Sequence, residues 1–258
     1  MIFFWQGKKH VVHSFCSAVI FYTIIPLPNT WTGNWSRIAR WASYMGLILG
    51  VFLGLGELLF QYLKIPELTR SVLIVAIWVG LTGGLHLDGV MDTADGLAVS
   101  DRDRSLEIMK DSATGAFGAI VGMIILLLKT AALSEISHDF GFALVLAASW
   151  GRWGQLIAIA FYPYLRAEGK GAFHKKNLQL PQDIVVGSVP LLLCYGILIY
   201  LEPQLWLQWS MIFFGCGIIT VATGYYFYHQ LKGHTGDTYG AIVEWSEALI
   251  LCLFTGVF

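Results

Sequence analysis

Residues 71–96 read SVLIVAIWVGLTGGLHLDGVMDTADG, an apolar run that ends in three aspartates. No charged side chain appears from Ser71 to Leu87. A stretch of this kind approaches the roughly 20 residues that cross a bilayer, so we read 71–91 as a membrane span with Asp88 just inside its end. Asp88, Asp92 and Asp95 are spaced i, i+4, i+7 and share one helical face. Three like charges there repel one another, and burying even one is costly without a partner. Either a hard cation sits between them or the cluster is a solvated helix end. The solvated end gives Gly83, Gly84, Gly89, Gly96 and His86 no particular role, whereas carboxylates kept at a membrane call for one. The metal reading is therefore preferred.

Outward from that stretch the chain stays apolar. Of its 258 residues 56% are hydrophobic and 13% charged, where soluble domains carry about a quarter charged residues. One small interior cannot hide that surplus, so the solvent is lipid. The expectation is an all-α, polytopic bundle of about seven transmembrane helices, a single domain over 1–258, with a possible interfacial helix at its start. Spans are expected near 42–62, 71–91, 115–137, 140–163, 184–201, 205–229 and 239–258, with short hairpin connections at 138–139 and 202–204. Segment 11–27 reads as an interfacial or first helix that stays attached, since no small-residue cleavage site precedes Pro26 and Pro28. Cys16, Cys194, Cys216 and Cys252 stand singly in apolar runs and read as small buried hydrophobes. A net charge of −1 argues against affinity for nucleic acid. A homo-oligomer is compatible with the sequence.

The basic residues then orient the bundle. Seven crossings put Lys8, Lys9, Arg37, Arg40, Arg102, Arg104, Lys110, Arg166, Lys170, Lys175, Lys176 and Lys232 on one side, and only Lys64 and Arg70 on the other. By the positive-inside rule the first side is cytoplasmic. Most carboxylates collect there as well, so the active face is expected to be cytoplasmic.

Three further segments converge on that face. In LEIMKDSATG (106–115), Asp111, Ser112 and Thr114 precede the third span; they read as a helix cap, and amides at such a start favour a phosphate. Arg152 falls inside a span, where an arginine normally meets an anion: a phosphate clamp, or a structural ion pair with a carboxylate. Lys170, Lys175 and Lys176 either steer an anionic substrate or reflect topology alone. In GHTGDTYGAIVEWSE (233–247), Asp237 opens the last span, and Glu244 and Glu247 share one of its faces. Such glutamates must be solvated, protonated or paired. His234 beside this loop reads as exposed more readily than as a ligand. Oxygen donors without a thiolate pair point to Mg²⁺ or Mn²⁺, and acidic ligands near a membrane surface fit transfer of a phosphoryl-linked group.

Taken in order, GGLHLDGVMDTADG, LEIMKDSxxG and TGDTYGAxxEWSE resemble the adenosylcobinamide-GDP ribazoletransferase (cobalamin synthase) family. The likeness extends to PLPNTW (26–31) and YPYLRAEGKG (162–171). What it implies is an integral enzyme of the bacterial inner membrane, late in cobalamin biosynthesis. Such an enzyme would join α-ribazole, or its 5′-phosphate, to adenosylcobinamide-GDP with release of GMP. The resemblance implies Mg²⁺ on Asp88, Asp92 and Asp95, with Asp95 or a glutamate of the last span (Glu244, Glu247) taking the hydroxyl proton. Arg152 and Lys110 would neutralise phosphate oxygens, Asp111 and Asp237 would support the metal, and Gly84, His86, Ser112, Gly115 and Glu247 would contact substrate. One departure is Ala113, where the family commonly has a basic residue. A CDP-alcohol phosphotransferase is the nearest rival, but no arginine stands at its expected offset from Asp88. A prenyltransferase would want a second aspartate-rich motif. An ion-coupled transporter would usually show inverted repeats, and none is visible.

Overall fold

In the computed structural model, which describes residues 2–136 and 140–257, Gly83 and Gly84 break the stretch that reads as one span. Their φ angles are +61° and +70°, a left-handed backbone that glycine adopts without a Cβ penalty. The helix before them stops, and the next leaves at 91° to it. The chain forms α1 (Ile2–Tyr22), α2 (Ala42–Tyr62), α3 (Glu67–Thr82), α4 (Leu85–Leu97), α5 (Arg102–Ile108) and α6 (Ala116–Glu135). It continues with α7 (Phe140–Phe161), α8 (Lys170–Asn177), α9 (Gln182–Leu201), α10 (Trp206–Leu231) and α11 (Gly236–Val257).

The all-α expectation holds among the described residues, and six helical segments are long and apolar enough to cross a membrane. The bent pair of α3 and α4 makes a seventh if counted as one crossing. The expected span at 71–91 needs correction. Its traverse is α3, and Asp88, Asp92 and Asp95 belong to the separate α4. At about 1.5 Å per residue, α4 is roughly 20 Å long, too short to cross alone. It packs across α11 where Gly89 meets the Asp237 main chain and Gly240 meets that of His86. A Cβ on Gly89 would stand 2.8 Å from the Asp237 carbonyl oxygen, so only glycine permits this crossing. Asp237 opens α11, which puts α4 at the end of the bundle that carries the long loops.

Burial sorts the helices. In α7, 83% of the most apolar stretch is buried, and in α11 61%, against 22% in α9 and α10. The first two are central, and the others face outward. The core gathers Leu53, Ile74, Trp78, Leu133, Trp209 and Ile250. Large apolar side chains such as Phe52 and Leu55 of α2, Met123 and Leu127 of α6, and Phe214 and Ile218 of α10 point outward. Water would penalise that surface and lipid does not. The apolar part of α1, His10–Tyr22, is too short to cross and packs Ala18 and Tyr22 against Ile38, Ala42 and Met45. All four cysteines are free. The connection expected at 138–139 lies outside the described residues.

Candidate active site

Two loops build the site by pairing with each other. The Leu165 amide donates to the His234 carbonyl at 2.8 Å, and the His234 amide to that of Pro163 at 2.8 Å. His234 is not exposed, as a histidine beside a loop suggests. It is fully buried, with Nδ1 3.1 Å from the Thr238 hydroxyl. Burial, helped by the Lys175 ammonium, pushes its pKa down to about 4. This clamp sets Arg166 opposite the first turn of α11, where its guanidinium donates to Asp237 Oδ2 at 2.7 Å and to the Met109 carbonyl at 3.0 Å. Arg166 entered the sequence reading only as one loop cation. Its signal was its place as the one arginine of YPYLRAEGKG.

Asp88, Arg166 and Asp237 line one cavity of about 270 Å³, together with His86, Gln155 and Tyr239. A neighbouring cavity of about 470 Å³ shares Tyr164, Arg166 and Glu168, so the space continues under the 162–171 loop. A larger cavity of about 630 Å³ lies between α4, α6, α10 and α11. It is apolar, and its threonines Thr93 and Thr223 already donate to the Gly89 and Ile219 carbonyls at 2.7 and 2.8 Å. It has no charged side chain in its lining, whereas the smaller cavity has Asp88, Arg166, Glu168 and Asp237.

The three aspartates do not act as one cage. Asp95 turns to α6, accepting from the Gly115 amide at 2.7 Å and the Gly118 amide at 2.8 Å, one through each oxygen. It is thus the anion at the start of α6, where the helix dipole favours negative charge, and it occupies the place expected to favour phosphate. A Cβ on Gly115 or Gly118 would run into this carboxylate. Asp92 is half-buried in the field of Asp88, Asp237 and Asp95, with Arg166 opposing them. Among the described residues no three acidic, histidine or cysteine side chains gather closely enough to hold an ion by themselves.

The membrane-embedded charges form a second, separate group. Lys129 donates to Glu244 at 2.6 Å and to Glu247 at 2.5 Å, while Arg152 donates to Glu247 at 2.6 Å and to the Ala148 carbonyl at 2.9 Å. All four side chains are buried, and Lys129 also lies 4.4 Å from the centroid of the Trp78 ring. Two cations face two carboxylates, so the cluster is neutral. Arg152, Glu244 and Glu247, expected at the chemistry or on substrate, are thus paired with one another and with Lys129 here. Of the two readings of Arg152, the structural ion pair is the one observed. Lys129 stands in an apolar run whose nearest acidic residue, Glu135, is six positions on and is not its partner, so only folding reveals its partners.

Other expected contacts also move. Lys110, Asp111 and Ser112 are exposed, and Asp111 accepts from the Ala113 amide at 3.1 Å in a local turn. Gly84 serves the backbone turn, and the Gly115 amide serves Asp95. Lys175 donates to the Ile159 and Ala160 carbonyls at 2.7 and 3.0 Å, closing the end of α7.

A bundle of membrane-crossing helices, with an arginine and carboxylates converging in a cavity at its loop-bearing end, defines the protein as a polytopic membrane protein with a polar site among its loops. The sequence matches the profile of the cobalamin-5-phosphate synthase family over residues 14–255, and the chain belongs to that family. It is 49% identical to an adenosylcobinamide-GDP ribazoletransferase of Trichormus variabilis, over 96% of this chain and 98% of that protein. A Synechocystis protein of the same name is 47% identical over 96% and 95% of the two chains, and one from Prochlorococcus marinus is 35% identical over 92% and 93%. No solved structure matches the chain.

Proposed function

We propose that the protein is an adenosylcobinamide-GDP ribazoletransferase that joins α-ribazole, or its 5′-phosphate, to adenosylcobinamide-GDP and releases GMP. The meeting of Arg166, Asp237 and Asp88 in one cavity carries the reading, and family membership over nearly the whole chain supports it. A ribose hydroxyl of the acceptor attacks the phosphorus bonded to the cobinamide, the bond to the GMP oxygen breaks, GMP leaves with the negative charge, and the hydroxyl proton passes to solvent water. Arg166 is placed to hold phosphate oxygens: Asp237 and the Met109 carbonyl fix one end, and its buried Nε has no partner among the described residues. Asp95, Glu244 and Glu247 are poor proton acceptors, because amides or cations already occupy them.

Mg²⁺ is part of the proposal. The donor set is all oxygen, and Asp88, Asp92, Asp95 and Asp237 bring four negative charges against the one guanidinium of Arg166. That suits an ion which keeps its waters and takes one or two carboxylates plus substrate phosphates. Asp88 and Asp92 would hold it, and bound there it would neutralise charge on the splitting diphosphate. The proposal also places the site on the cytoplasmic side of a bacterial inner membrane, because the loop-bearing end carries most of the basic residues.

The test is direct. Purified protein in lipid, given adenosylcobinamide-GDP and α-ribazole, should release GMP only when both are present. Absence of GMP above the enzyme-free rate, with Mg²⁺ supplied, would overturn the assignment.

A further inference from the structure

The inner wall of the 270 Å³ cavity is built from one buried polar side chain on each of three helices. His86 of α4, Gln155 of α7 and Tyr239 of α11 all line it and are 3%, 4% and 2% exposed. Among the described residues, His86 Nδ1 and Nε2, Gln155 Oε1 and the Tyr239 hydroxyl have no hydrogen-bond partner. Buried polar atoms are nearly always satisfied, and several left open on one wall call for a ligand that satisfies them. Their chemistry restricts that ligand. Gln155 Oε1 only accepts, so it needs a donor, which an ionised phosphate does not have. An imidazole both donates and accepts, as does a phenol. The matching group therefore offers donors as well as acceptors, as the hydroxyls of a sugar do, and the cavity of about 270 Å³ is too small for a corrin. Asp88 and Arg166 line the same cavity, so hydroxyls seated on this wall lie beside the groups assigned to the phosphates.

We propose that His86, Gln155 and Tyr239 form the subsite for the ribose hydroxyls of the nucleoside acceptor, an inference that rests on the transferase reading above. Gln155 Oε1 accepts a hydrogen bond from the hydroxyl that does not react, while Tyr239 and His86 orient the one that does. The hydrogen bonds and ion pairs of the Lys129–Glu244–Glu247–Arg152 cluster involve none of the three, so they can be altered without unpairing a buried charge.

The experiment varies substrate and protein together. α-Ribazole and its 2′-deoxy analogue are compared as acceptors, at saturating adenosylcobinamide-GDP, for the wild type, Gln155→Met and Tyr239→Phe. Loss of one hydrogen bond to a buried partner costs on the order of tenfold in kcat/KM. The wild type should show that penalty for the deoxy acceptor, and Gln155→Met should show little or none, because its partner for the hydroxyl is already gone. KM for adenosylcobinamide-GDP should stay put in both variants. Equal deoxy penalties in the wild type and Gln155→Met overturn the subsite. So does an effect confined to KM for adenosylcobinamide-GDP, which would assign the wall to the guanosine sugar or to a corrin amide. If Gln155→Met does not accumulate, Gln155→Asn keeps the amide and withdraws its oxygen by one methylene, with the same expected outcomes. Wild-type GMP release with α-ribazole itself is the control that separates the two readings. Its absence sinks the transferase reading and the subsite with it, whereas its presence with equal deoxy penalties sinks the subsite alone.

Discussion

Replacing Lys129 by Met keeps the length of the side chain and removes its charge, leaving Glu244 and Glu247 to share the single guanidinium of Arg152. Glu247 retains its contact with Arg152 at 2.6 Å, but Glu244 loses the partner it holds at 2.6 Å. Glu244 is 4% exposed, so water does not replace that partner. Unpairing one member of a buried ion pair costs about 3–5 kcal/mol. At roughly 2–4 °C per kcal/mol for a chain near this size, Lys129→Met should melt about 6–20 °C below the wild type. The assay is thermal unfolding of the purified protein in one detergent, followed by intrinsic tryptophan fluorescence. The double variant Lys129→Met/Glu244→Gln restores neutrality and should recover most of the loss, a coupling that a double-mutant cycle isolates. Specific activity below the melting range should follow the folded fraction, because these four side chains are paired with one another and none lines the polar cavity. A single variant as stable as the wild type, or a double variant no better than the single one, would refute the argument that these charges are a neutral structural unit.

Four other outcomes are expected. Asp88→Asn and Asp92→Asn should each lower GMP release by about 10²-fold with the fold intact, whereas Asp95→Asn and Gly118→Ala should lower thermal stability, because both disturb the Asp95 contact with the start of α6; the comparison is rate against melting temperature for each. Exhaustive chelation should abolish turnover, with Mg²⁺ or Mn²⁺ restoring it, and full activity in chelator would remove the metal from the proposal. His234 folds as a neutral ring, with its pKa near 4 against an ordinary 6.5; the unfolded chain protonates first, so its contribution is present above about pH 6.5 and is lost as pH falls towards 4. The melting temperature of His234→Asn should therefore fall less steeply over that window than that of the wild type. Single cysteines at the exposed positions Arg104, Lys176 and Lys232 should resist a membrane-impermeant reagent in intact cells and react after lysis; labelling from outside at any of them contradicts a cytoplasmic site.

Span positions were legible because hydropathy is a local property. The run at 42–62 matches α2 at Ala42–Tyr62, and the last three runs meet α9, α10 and α11 within a few residues. The i, i+4, i+7 spacing likewise placed Asp88, Asp92 and Asp95 on one helix, and the membrane character followed from composition alone. What the sequence could not contain is which polar groups meet across the bundle. In the sequence Gly83 and Gly84 read as room for the close approach of a ligand or another helix, and only the positive φ of both residues turned α4 through 91° and took its aspartates off the span. Asp95 lies 20 residues from Gly115, Lys129 lies 115 from Glu244, and Arg166 lies 71 from Asp237. A buried charge takes its meaning from its nearest opposite charge or hydrogen-bond donor, and at those separations chain packing alone decides which one that is. The same carboxylate chemistry therefore became a helix cap at Asp95, a neutral ion cluster at Glu244 and Glu247, and an open cavity wall at Asp88.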